Sequence, residues 1–265
     1  MERIKVFVSG ASGKMGREVV KAVIADNELQ LVGTGDVKFW GADAGELAGI
    51  EPVGVVLSEL TPEVLHACKA QVLIDFTNPQ SVLKNCKLAL ESGVSPVIGT
   101  TGLTEDEIEE IRALAERVNI GAFIAPNFSI GAILMMKFAQ DAARYFPHVE
   151  IIELHHDQKL DAPSGTGLKT AELIANVRPS MTQGNPDEYE KLPGARGGDF
   201  KGLRIHSVRL PGLVAHQEVI FGGLGQTLSI RHDAYNRETY MPGIVHAAKK
   251  VTGLKGLVVG LDNIL

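Results

Sequence analysis

The chain has 265 residues, 45% hydrophobic and 22% charged, an ordinary globular composition long enough for one large domain or two modest ones. Its net charge of −6 argues against a nucleic-acid partner, which selects a basic face. Cys68 and Cys86 are too far apart for a redox or zinc-knuckle motif, so no disulfide scaffold and no metal centre are expected, and a reducing, cytoplasmic location is. No apolar run of about 18 residues predicts a membrane span, and the chain enters RIKVFV without a signal stretch.

The predicted strands of the first half are the apolar runs 3–8, 29–34, 53–57, 71–76, 95–99 and 120–125. Between them, segments 14–26, 81–92 and 105–118 carry apolar residues at helical spacing, with Val19, Val20, Val23 and Ile24 on one face of the first. Strands alternating with helices specify βαβ units and a mostly parallel sheet. Continuous apolar strands fit burial on both faces. The pattern changes near residue 127: a helix over 130–146, a strand over 149–156, a helix over 166–177 and a Pro/Gly-rich loop over 178–202. Strand runs at 203–210, 213–223 and 225–233, joined by short connections, predict an antiparallel meander. A last helix over 238–253 holds Pro242 in an early turn. The fold class is therefore α/β, with a dinucleotide-binding domain at 1–127 and 237–265 and an α+β domain at 128–236.

The loop GASGKMG places Gly10, Gly13 and Gly16 after the first strand and at the start of the first helix. A tight turn, backbone free of Cβ and helix-terminal N–H groups suit a pyrophosphate, and Lys14 adds positive charge nearby. Asp36 lies 20 residues beyond Gly16, after the second strand, where a ribose-binding carboxylate belongs. The alternative is a plain glycine-rich turn with a solvated aspartate. Asp36 favours NADH, because NADPH needs a cation for its 2′-phosphate; Lys38 supplies one, so use of both is expected. The loops DFTNP (75–79) and GTTG (99–102) leave strand C-termini, where open α/β sheets bind ligands, and Thr100 and Thr101 are candidates for the nicotinamide half. Thr104, three residues before Glu107, reads as a helix cap.

The segment ELHHDQKLDAPSGTG (153–167) is the richest in chemistry. His155 and His156 end a strand, and Lys159 follows four positions after His155. Imidazole and ammonium supply protons to an anionic substrate. Ser164 caps the next helix, leaving the N–H groups of Gly165 and Thr166 for a carboxylate, and Ser164 is expected to join them in binding substrate. A zinc reading lacks the further ligands it needs, and a solvated Lys159 is the plain alternative. Together these groups describe a pocket for a small dicarboxylate.

GASGKMG, DFTNP, GTTG, APNFSIG, ELHHDQKLDAPSGT and RHDAYNR resemble the motifs of the 4-hydroxy-tetrahydrodipicolinate (dihydrodipicolinate) reductases, over residues 4 to about 250. The resemblance implies a Rossmann domain, a second domain with an open mixed sheet, a homotetramer, and NADH- or NADPH-dependent reduction of a cyclic imine dicarboxylate on the diaminopimelate route to lysine. It implies that His155 is the catalytic acid/base and Lys159 the proton donor, and that His156, Gly165 and Thr166 contact substrate carboxylate. It also implies cofactor contacts from Gly10, Ala11, Ser12, Gly13, Lys14 and Met15, from Asp36, from Gly99, Thr100 and Thr101, and from Ala125, Pro126, Asn127 and Phe128. Arg237 matches a residue near the cofactor at the domain hinge. Val37 stands where NADP-preferring members carry arginine, and Gly167 where alanine is frequent. The rival readings are another amino-acid-precursor dehydrogenase, which has no need of HHxxK before PSGT, and a nucleotide-sensing protein without catalysis.

Overall fold

The computed structural model describes residues 2–265 and divides into two compact units, Met1–Ile130 with Arg237–Leu265, and Gly131–Asn236. The first unit opens with β1 (Ile4–Ser9), α1 (Lys14–Ala25), β2 (Leu29–Gly35), α2 (Ala44–Ala48), β3 (Leu57–Ser58) and α3 (Pro62–Ala67). It continues through β4 (Val72–Asp75), α4 (Pro79–Glu91), β5 (Ser95–Ile98), α5 (Glu105–Val118) and β6 (Ala122–Ile124). After residue 236 come a 3-10 turn (Arg237–Tyr240), α8 (Met241–Val251), β12 (Leu257–Val259) and a second 3-10 turn (Leu261–Asn263). Their strands form a seven-stranded parallel sheet in the order β12-β6-β5-β4-β1-β2-β3. All residues of β4 and β5 are buried, which is why these runs read as continuously apolar. The order reverses between β1 and β4, and the C-terminal edge of an open α/β sheet at such a reversal is where ligands bind.

Local chemistry sets the helix ends. Thr104 and Glu107 close a capping box on α5, and Asn119 ends that helix in the left-handed conformation. Thr61 and Asn78 cap α3 and α4, each followed by proline in the first turn. The strand predicted at 53–57 shrinks to Leu57–Ser58. The Val53 and Gly54 amides donate instead to the Asp43 carboxylate, at 3.1 and 2.8 Å, which diverts them from a ladder. The helices α2 and α3 and the strand β12 add to the predicted set. Pro242 does fall in the first turn of α8, and Lys249 ties that helix to Asp26 and Glu28 at 2.9 and 2.5 Å.

The second unit contains α6 (Ile130–Ala143, from its second residue), β7 (His148–His155), α7 (Gly165–Ala175), β8 (Gly198–Phe200), β9 (Leu203–Arg209), β10 (Ala215–Gly223) and β11 (Gln226–Ala234). The sheet order is β11-β10-β7-β9-β8. The meander predicted at 203–233 is therefore wrong: β10 and β11 form a hairpin, but β7 lies between β9 and β10, parallel to the first and antiparallel to the second. The connection over residues 210–214 passes over the end of β7, where the Leu210 amide donates to the His155 carbonyl at 3.1 Å. Neighbouring strands lie about 4.8 Å apart, so skipping one takes about 10 Å, well within the reach of five residues. Short connections did not require adjacency.

One face of this sheet packs Val149, Ile151, Ile205, Val219 and Phe221 against Ala139 and Ala143 of α6 and Ala171 and Ile174 of α7. The excursion over 178–202 contains β8 and is pinned by the buried Arg178, which donates to the carbonyls of Pro147, Met181 and Gly202. Among the described residues, no helix is long and apolar enough to cross a membrane.

Candidate active site

At the reversal point of the first sheet a cleft of about 450 Å³ is lined by residues of the β1–α1 loop, the segment after β2 and the start of α4, including Gly10, Ser12, Gly13, Asp36 and Lys38. Gly10 has φ +78°, and a Cβ there would run into the Phe76 carbonyl. One at Gly16 would run into the Gly10 carbonyl. Gly16 is required by the packing of the loop itself, and Gly10 by its left-handed conformation and by the segment after β4. Gly13 is the N-cap of α1, contributes no side-chain cap, and is followed by no acidic residue in the first turn. The helix N-terminus is thus left to an anion from outside.

Asp36 accepts from the Ser12 amide at 3.0 Å and its hydroxyl at 2.7 Å through Oδ2, and from the Val37 amide through Oδ1. The carboxylate braces the glycine loop at the cleft edge. Trp40, the sole tryptophan, was not singled out from the sequence; its indole donates to the Asp36 carbonyl. It lines the cleft with Lys84 and Asn85 of α4. A tight glycine turn, an uncapped helix N-terminus and a cleft lined by both an acid and a cation fit a dinucleotide.

The other expected cofactor residues lie outside this cleft's lining. Ala11 is buried, and Lys14 and Met15 open α1. Thr100 and Thr77 are joined through Asp75: Oδ1 accepts from the Thr100 hydroxyl at 2.7 Å and the Thr77 hydroxyl at 2.8 Å, and Asn85 donates to Oδ2 at 2.8 Å. A Cβ on Gly99 would run into the Phe76 ring, and Thr101 is exposed. Ala125 is buried and Pro126 exposed. Asn127 accepts from the Ser129 amide at 2.8 Å. Phe128 is a core side chain packed on Phe76 and Phe123, and its carbonyl lies against Gly243. Arg237 is exposed at the start of its 3-10 turn.

In the second unit the chemistry gathers at the end of β7. The strand turns Val149, Ile151 and Glu153 to the buried face, and His155 follows in the same alternation. Glu153 was missed from the sequence, although an acid at an inward position of an apolar strand, two residues before a histidine, was a usable signal. Its side chain is fully buried. Oε2 bonds His155 Nδ1 at 2.5 Å and accepts from Arg209 Nη1 at 2.9 Å. Oε1 accepts from Arg209 Nη2 at 2.7 Å and the Ser164 amide at 3.2 Å. Burial pushes the Glu153 carboxyl up, but hydrogen bonds from His155, Arg209 and Ser207 outweigh it and hold it at about 2. An ionised carboxylate only accepts, so Nδ1 carries the proton and Nε2 is free for other work.

Ser164 caps α7 by accepting from the Gly167 amide at 3.1 Å. The amides of Gly165 and Thr166 precede that bond in the first turn, and a Cβ on Gly165 would meet open space. Nothing in the chain demands glycine there, whereas close approach by a ligand would. Lys159 Nζ pairs with Asp161 Oδ1 at 2.7 Å, and that bond draws the Asp161 carboxyl below its usual range. His156 is exposed just past the strand.

A switch-point cleft built for a dinucleotide, in one chain with a unit that gathers acid–base groups at a helix N-terminus, places the protein among the pyridine-nucleotide-dependent oxidoreductases. Models of the N- and C-terminal parts of dihydrodipicolinate reductase match residues 4–128 and 131–265. The chain belongs to the dihydrodipicolinate reductase family. It is 62% identical to the 4-hydroxy-tetrahydrodipicolinate reductase of Desulfitobacterium hafniense (strain DSM 10664 / DCB-2) over 100% of both chains. It is 54% identical to that of Syntrophomonas wolfei, over 100% of this chain and 99% of the relative. The dipicolinate-bound dihydrodipicolinate reductase from Paenisporosarcina sp. TG-14 superposes with a TM-score of 0.89 at 49% identity, covering 99% of this chain and 100% of that one. An amine dehydrogenase from Mycobacterium smegmatis shares the fold alone, with a TM-score of 0.68 at 16% identity.

Proposed function

We propose that the chain reduces 4-hydroxy-tetrahydrodipicolinate to tetrahydrodipicolinate on the diaminopimelate route to lysine, in the cytoplasm. The observation that carries this reading is the end of β7, where an oriented imidazole lies beside the N-terminus of α7 through their shared bonds to Glu153. Replacing a hydroxyl by hydrogen consumes one hydride and one proton and releases one water. A bound dihydronicotinamide supplies the hydride. The chain's own residues hold the substrate and manage the proton. The Gly165 and Thr166 amides and His156 take a substrate carboxylate, in keeping with the dipicolinate bound by the Paenisporosarcina relative. Lys159, held by Asp161, and His155 through Nε2 are the proton carriers.

The cleft of the first unit takes the nucleotide. Gly10 to Met15 cradle the pyrophosphate, Asp36 receives the ribose hydroxyls, and Lys38 admits a 2′-phosphate, so both NADH and NADPH serve. Gly99 to Thr101, Ala125 to Phe128 and Arg237 attend the nicotinamide side. The face of the second sheet turned away from α6 and α7 carries Ile152, Leu154, Val208 and Ile220; we assign to it the contact of a homotetramer. The deciding assay follows oxidation of reduced nucleotide with enzymatically generated substrate. Turnover with both nucleotides is expected, and no turnover with either refutes the reading.

A further inference from the structure

We propose that Glu153 is the positioning residue for His155: its carboxylate takes the Nδ1 hydrogen and turns Nε2 toward substrate, while Arg209 balances its charge. This rests on the reading of His155 as a group that works on substrate.

A buried carboxylate is costly unless its charge and lone pairs are answered. Arg209 answers the charge with two parallel bonds, at 2.7 and 2.9 Å. A structural ion pair would need nothing more. Two further bonds instead run to functional neighbours, His155 Nδ1 and the Ser164 amide. One side chain therefore orients both the imidazole and the first turn of α7. The imidazole is only 15% exposed, so its ring has little room to turn once Nδ1 is engaged. In neutral imidazole one nitrogen donates and the other accepts, and the partner of the first decides the role of the second.

The charged groups around His155 can be named by element. On β7 there is Glu153, and on β9, directly opposite, Arg209. In the loop after β7 are Lys159 and Asp161, and the Asp161 carbonyl also accepts from Arg209. On β10 the partner of His155 is Ala215, which is uncharged, and on α7 the nearest group in the network is Ser164. His216 of β10 is occupied by Asp233 at 2.7 Å. An imidazolium at His155 thus has one direct counter-ion, Glu153, whose charge Arg209 shares.

The two partners then act in opposite senses. Glu153→Gln removes the counter-ion and leaves Arg209 facing the ring, so the ring should titrate at lower pH. Arg209→Met leaves the carboxylate to the ring alone, so it should titrate at higher pH. The experiment is nitrogen-resolved NMR of the imidazoles in the full-length protein, with His155 assigned through His155→Asn, alongside the pH profile of kcat. Expected are a neutral ring protonated on Nδ1 and shifts of opposite sign in the two variants, with the basic limb of the profile moving the same way. Glu153→Gln should lower kcat by about tenfold to a hundredfold, less than the loss on removing an acid–base group outright, about 10²–10⁴. Nucleotide affinity should stay within twofold.

A wild-type ring protonated on Nε2, or variants that shift in the same direction or not at all, overturns the proposal. Should Glu153→Gln not fold, the wild-type tautomer and the Arg209→Met shift still decide it. Full kcat in His155→Asn would instead refute the acid–base reading of His155, leaving the tautomer and the opposite shifts as a separate result.

Discussion

Glu153→Gln also tests the energetics of the second unit. Glutamine keeps the shape and an acceptor oxygen, so it stands in for the protonated acid. The native carboxyl titrates at about 2 instead of 4.5. A depressed acid stabilises the fold above its unfolded value, and that stability is lost as pH falls from 4.5 toward 2. At 1.36 kcal/mol per pH unit, the ionised network contributes about 3 kcal/mol at pH 5 and less than half of that at pH 3. The wild type should therefore lose about 2 kcal/mol more than Glu153→Gln over that interval. Urea unfolding of both proteins at pH 5, 4 and 3 measures the difference. Parallel losses would show that the carboxyl titrates as in the unfolded chain, and that its bonds to His155 and Arg209 add nothing to stability.

Lys159→Ala should lose at least about 10² in kcat with nucleotide affinity nearly unchanged, and Lys159→Gln should recover little, because it lacks the proton; a variant with only a raised KM would make Lys159 a carboxylate clamp. Combining it with His155→Ala should cost less than the product of the single losses in steady-state kinetics, since both serve one proton transfer. Asp36→Ala should weaken NADH by about 1–2 kcal/mol in fluorescence titration, the scale of bonds to a charged group; an unchanged dissociation constant removes Asp36 from the site. Light scattering at micromolar concentration should give the mass of four chains, and a monomeric mass refutes the assigned contact.

The nucleotide-binding half was legible because its signals are local. Gly16 is dictated by the carbonyl of Gly10 within the same turn and Gly10 by its own left-handed conformation, to which the distant Phe76 carbonyl adds, and Asp36 by the end of the adjacent strand. Ser164 and Thr104 likewise announce their helices through bonds that span three residues. Strands buried on both faces write themselves as apolar runs wherever they sit in the chain. The motif from Glu153 to Gly167 also carried its chemical character in sequence, since imidazole, ammonium and a capped helix start lie within fifteen residues.

What the sequence by itself determined, then, was the βαβ order, the helix caps, the glycine loop and the residue types of the segment from Glu153 to Gly167, all set by short-range bonds and periodicity. Tertiary structure alone decided the strand order of the second sheet. A connection of five residues permits either an adjacent hairpin or a step over β7, and only the packing of Val149, Ile151 and Glu153 as the central strand selects between them. That choice brings Arg209, 56 residues away in sequence, onto Glu153. The orientation of His155 follows from it, because the buried carboxylate that holds Nδ1 needs a cation that no local pattern supplies.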